Sequence, residues 1–161
     1  MDPGIQFAEL LAYGADETNR WRRWFGEHPA ALDLACDAAG AGTVRNLLLH
    51  VFATELHFAN KVLGLPKIPS DKLPVSTTDE LFAVSEQAQE KFQRFLREST
   101  PEDWASIQPL GFGDLHASRR KMVMQAIWHS IHHRGQLATF LRQQGFKQAW
   151  THDFILSTVI E

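Results

Sequence analysis

Residues Ser118 to Gln144, SRRKMVMQAIWHSIHHRGQLATFLRQQ, decide the fold class. Met122, Ala126, His129, Ser130, His133, Leu137, Phe140 and Leu141 recur at intervals of three and four, which places them on one face of an α-helix. Gly145 supplies the stop. The same inward stripe carries two histidines four residues apart, where side chains on a helix are neighbours.

Three further stretches repeat this spacing, and none shows a convincing alternation of period two. The first runs from about Ile5 to Phe25, with Phe7, Leu10, Leu11, Gly14, Thr18, Trp21 and Phe25 on one stripe and Gly26 and Pro29 marking its end. The second starts at the N-cap Thr43, carries Leu47, His50, Val51, Thr54, Phe58 and Val62 inward, and stops at Gly64 and Pro66. The third opens with a capping box, Thr77 to Glu80, ahead of Leu81, Val84, Ser85, Ala88, Phe92, Phe95 and Leu96. Between the second and third, PKIPSDKLPVS holds three of the seven prolines and reads as a crossing loop. Thr100-Pro101-Glu102-Asp103 begins a short helix ending near Ser106, Gln108 to His116 reads as irregular, and a last short helix follows Thr151. The expectation is an all-α chain: a four-helix bundle with unequal connecting loops and short extra helices, forming one domain over residues 1–161.

The charge balance narrows the function classes. Sixteen Lys and Arg against 19 Asp and Glu leave a net charge of -3, which gives no electrostatic reason to seek phosphate backbones or anionic lipid. No apolar run approaches the roughly 18 to 20 residues of a membrane span, and MDPGIQFAEL lacks the pattern of a secretory leader. A cytoplasmic protein is expected, with neither nucleic acid nor membrane as its partner. One cysteine, Cys36, forms no internal disulfide; it sits in the small-residue stretch LACDAAGAG and is not assigned as a nucleophile. Eight histidines, beside a single Cys and a single Tyr, make imidazole the chemistry to follow.

His129 and His133 together can hold one metal ion, and packing the second helix against the fourth brings His50 to the same point. Three neutral imidazoles make an open site for zinc or a similar first-row divalent ion. The competing reading is a set of ordinary core histidines, but three inward imidazoles need partners and a shared metal satisfies all of them. His57 lies seven residues after His50, about 10.5 Å along the axis, so it substitutes for His50 rather than joining it. His132 points about 100° away from the pair and belongs at the rim or on the surface. His28, His116 and His152 read as solvated.

Gln136 is placed to hold a ligand imidazole by a hydrogen bond, with Glu55 and Asp114 as alternative orienting groups or bases. Trp21, Trp24, Phe52, Phe58 and Trp128 either line a pocket around the metal or fill the core, and any left outside favours a subunit interface. Arg134 points off the inner stripe, toward a surface or intersubunit ion pair. Gly135, in mid-helix, either admits a close neighbour or is a tolerated glycine. Arg119-Arg120-Lys121 reads as a solvated cationic face, with an anionic substrate group as the alternative.

The run LLLHVFATELHFANKVLG around His50, with HSIHHRGQLATFLRQQG around His129 and His133, resembles the DinB-like (DinB/YfiT) family of metal-dependent enzymes over essentially the whole chain. The resemblance implies a four-helix bundle, commonly a homodimer, with His50, His129 and His133 as the metal triad holding zinc or nickel. It also implies thiol chemistry: related branches include transferases and isomerases that use a low-molecular-weight thiol on a small electrophile. A hydrolase built on the same metal, and a stress-associated binding protein with a structural metal and no turnover, stand as the other two readings.

Overall fold

A computed structural model describes residues 4–159. Its long helices are α1 (Phe7–Glu27), α2 (Val44–Val62), α3 (Thr78–Glu98) and α5 (Arg119–Gln143), with a short α4 (Pro101–Ala105) before the last. The chain is mostly helical, as the periodicity predicts.

Local chemistry accounts for the boundaries. The Thr43 hydroxyl accepts from the Asn46 amide at 3.2 Å, and Thr77 and Glu80 satisfy each other's backbone amides at 3.0 and 3.1 Å. Thr100 and Asp103 make a second capping box that starts α4, and Ser118 caps α5. Gly145, at φ +86°, ends α5 in the left-handed conformation that glycine adopts without strain. At α1 the reading shifts: Gly26 lies inside the helix, which continues to Glu27 with His28 as its C-cap, and Pro29 opens a 3-10 turn.

Two short hairpins were not expected. Ala35–Cys36 (β1) pairs with Gly42–Thr43 (β2), and Ile107–Pro109 (β3) pairs antiparallel with His116–Ser118 (β4). The segment from Gln108 to His116 is therefore a hairpin, with Gly111 and Gly113 at positive φ in its tip. Strands of two or three residues are too short to display an alternation. After Thr151 the expected helix is one 3-10 turn, Phe154–Leu156.

Around the bundle, α2 packs against α3 and α5, and α1 packs against the same two, so α1 and α2 occupy opposite corners. The connection from Glu27 to Val44 crosses the diagonal, and the one from α3 to α5 does likewise. This topology, rather than a simple up-and-down order, lays α2 beside α5. The core between them is apolar and includes Trp21, Phe25, Phe52, Phe82, Leu47 and Leu141.

One polar tie runs through that core and joins all four helices. Glu55 of α2 accepts hydrogen bonds from Ser85 of α3 (2.7 Å) and Ser130 of α5, and pairs with Arg134 at 3.4 Å. Arg134 donates in turn to the Thr18 hydroxyl of α1 at 2.6 Å. Glu55 and Arg134 are each 8% exposed, so the reading of Arg134 as a surface group is corrected. Its hydroxyl and carboxylate partners make the inward position tolerable for a cation. Removing one partner of such a buried pair costs roughly 3 to 5 kcal/mol, because the other charge is left without compensation.

Candidate metal centre

His50 sits in the second turn of α2, and His129 and His133 face it from the middle of α5. One nitrogen from each lies within 4.8 Å of the others, the one group of three or more such side chains placed to hold a metal among the described residues. The Nε2 atoms of His50 and His129 are 3.0 Å apart, about the separation imposed when two imidazoles bind one ion at roughly 2.0 to 2.1 Å. The rings meet at steep angles, 58° for His50 with His129 and 83° for His50 with His133, so they converge rather than stack.

Gln136, one turn after His133, accepts a hydrogen bond from that ring's Nδ1 at 2.7 Å. With Nδ1 protonated, the lone pair of His133 is left on Nε2, the tautomer a metal requires. His129 has no comparable support; its Nδ1 is buried without a partner.

Electrostatics keep His129 and His50 neutral. Burial, followed by the neighbouring His133, His50 and His132, pushes the His129 imidazole down to about 4. Burial and then His133 push His50 below the usual imidazole range. Near neutral pH both rings therefore offer lone pairs. No carboxylate contributes to either shift, so the donors are uncharged and a divalent ion among them would keep its full charge.

The site lies at the surface edge of the bundle, not in its centre. His133 is buried, His129 is half-buried and His50 is exposed, which corrects the placement of His50 on an inward stripe. Beside His50 opens a groove of about 720 Å³ between α2 and the proline-rich loop, floored by Ala53 and Thr54 and walled by His57, Phe58 and Phe112. A triad at the edge of such a groove is open to a small molecule on the His50 side.

The other candidates fall elsewhere. His57 does not join the triad; it packs against Phe58 and Phe112, and its Nε2 donates to the Leu110 carbonyl at 3.1 Å. His132 is exposed, with its ring centroid 5.0 Å from that of His133, the rim position anticipated. Glu55 orients nothing at the triad: five residues beyond His50 it lies about 140° round the helix and belongs to the core tie. Trp128 is 59% exposed, while Trp21, Trp24, Phe52 and Phe58 are buried. His28 and His152 are half-buried rather than solvated. His28 stacks on Trp24, and His152 stacks on Trp21 while its Nδ1 lies 2.6 Å from the Glu17 carboxylate. Arg119 is held by Asp103 at 3.1 Å, which ties the start of α5 to α4.

The residues missed by sequence reasoning are those of the core tie. Thr18, Ser85 and Ser130, three hydroxyls on three inward stripes, were the signal that a buried charge needed partners.

Comparison with protein families supplies the frame for this geometry: the DinB family matches residues 3–157. The chain belongs to the DinB family. No curated protein matches it. Membership covers both helices that carry the triad and the whole of the bundle that places them together.

Proposed function

We propose that this DinB-family chain is a metal-dependent enzyme whose His50, His129 and His133 hold a divalent ion, zinc or nickel, and which joins a low-molecular-weight thiol to a small electrophile or isomerises it. The observation that carries the reading is the convergence of three imidazoles, with His50 at the edge of an open groove. A divalent ion held there supplies Lewis acidity, lowering the pKa of a thiol or water in its open position.

The chain's own residues divide the remaining work. Gln136 holds His133 in the tautomer that presents Nε2. The uncharged donor set leaves the ion's positive charge for an incoming anion, which favours a thiolate or hydroxide over a neutral ligand. Ala53, Phe58 and Phe112 offer apolar surface beside His50, which shields a small electrophile from water. Hydrolysis would use the same arrangement with water in place of the thiol.

The fit to an ion also argues against a purely structural metal, since structural zinc sites are usually closed by four protein ligands and this one has three. The homodimer and the cytoplasmic location belong to the same proposal; exposed Trp128 and Ile131 on α5 support a subunit contact.

Metal analysis of protein purified without an affinity tag is the test. The expected result is close to one divalent ion per chain, lost in a His129→Ala/His133→Ala variant that still folds. Metal content unchanged by that double substitution would refute the site.

A further inference from the structure

The groove beside His50 carries a second chemistry at its far end. His57 lies two turns along α2 from His50, about 10.5 Å away on the same face. Around it the charge is positive: after burial, and against the bond to Leu110, Lys67 and Lys61 both lower the His57 imidazole, so both ammonium groups are felt at that ring. Lys67 lines the groove itself, and the Lys61 Nζ stands against the hairpin, 3.2 Å from where a Cβ on Gly111 would sit. A second cleft of about 310 Å³ shares Phe58, Phe112 and Gln125 with the groove and continues to Lys121.

Opposing charge is scarce. Asp71 is the one carboxylate lining the groove, and it pairs with Lys72 at 4.0 Å. Among the described residues, Lys61, Lys67 and Lys121 form no ion pair. In a chain of net charge -3, two uncompensated ammonium groups felt at His57, Lys67 in the groove and Lys61 against the hairpin, with Lys121 in the adjoining cleft, are a local reversal of sign. Between that end and the triad, the wall is aromatic and aliphatic: Phe58, Phe112, Ala53 and Leu49.

From this arrangement we infer that the groove binds an amphipathic organic anion, with its metal-seeking atom at His50, its apolar body along Phe58 and Phe112, and its anionic group about 10 Å away beside Lys61 and Lys67. This substrate class rests on the metal site proposed above for one end of the molecule and on the lysines alone for the other. His57 takes part as a neutral wall: its Nε2 proton is committed to Leu110, and its ring keeps the Phe112 side of the groove in place.

The test separates the two ends by titration calorimetry on the full chain. The probes are 8-mercaptooctanoate and 8-mercaptooctan-1-ol with zinc-loaded protein, and octanoate and octan-1-ol with metal-stripped protein. Two exposed or half-exposed ion pairs correspond to roughly fivefold in affinity. The acid of each pair should bind about fivefold more tightly than the alcohol. A Lys61→Gln/Lys67→Gln variant with an unchanged circular-dichroism spectrum should lose that preference and keep its affinity for the alcohol. Equal binding of acid and alcohol by the native chain, or a preference that survives in the double variant, would overturn the inference. Failure of zinc to bind at all would instead strike the metal reading and leave the octanoate arm to report on the lysines.

Discussion

Gln136 shows how a single amide decides what its neighbour can do. By accepting the Nδ1 proton of His133 at 2.7 Å it selects the ring's tautomer without touching the ligand position itself. Partners of this kind are typically worth 10- to 100-fold in metal affinity. Gln136→Leu should therefore weaken zinc binding by about that factor in a competition against a chelating dye, with little change in the unfolding midpoint of the metal-free protein. His129 makes the second prediction at this scale. Its folded-state value of about 4 lies below the ordinary 6.5, so the unfolded chain takes up a proton that the folded chain refuses. Stability of the metal-free protein should thus fall as pH drops from about 6.5 toward 4 and level off below that, by the contribution of this ring; denaturant titrations across the window check it, and His129→Gln should flatten the slope. At this scale the sequence was most informative about the triad, because i and i+4 spacing is a local property. It was least informative about Arg134. A cation beside a ligand reads as a surface group until the Thr18 hydroxyl of α1 and the Glu55 carboxylate of α2 are seen to meet it from two neighbouring helices.

Gly135 interrupts α5 between the buried Arg134 and the imidazole support Gln136. A Cβ built there meets nothing within 4 Å, so among the described residues none needs the glycine for close approach. Gly135→Ala should accordingly stabilise the protein by about 0.5 to 1 kcal/mol, the usual helical preference of alanine, as measured by chemical denaturation. A loss of stability would instead report a neighbouring subunit packed against that turn. Long helices such as α5 were legible because twenty or more residues repeat one period and caps mark their ends. The hairpin from Ile107 to Ser118 was not, because three-residue strands give no period, and its pairing is set by Gly111 and Gly113 and by the docking of Leu110 on His57. Phe112 of that hairpin lines the groove beside His50, so the part of the candidate site least visible in sequence is a wall of the groove itself.

In the whole molecule the diagonal placement of α1 and α2 is what puts two triad-bearing helices side by side. It also leaves the outer face of α5 uncovered, with Trp128 59% and Ile131 38% exposed. If that face joins two copies, Trp128→Glu should convert a dimer to a monomer in multi-angle light scattering while the metal content stays constant; a native chain that is already monomeric would dispose of the dimer. Another long-range tie joins α1 to the C-terminal segment, where buried Glu17 meets His152 and Trp150 across 135 and 133 residues of chain. During synthesis α1 emerges long before those two partners exist. Its carboxylate lacks both partners while the other three long helices are made, and closing so long a loop carries an entropic cost. The seating of α1 is thereby completed only by residues 150 to 152, and a chain cut before residue 150 would uncover Trp21 on the side where His152 comes to rest.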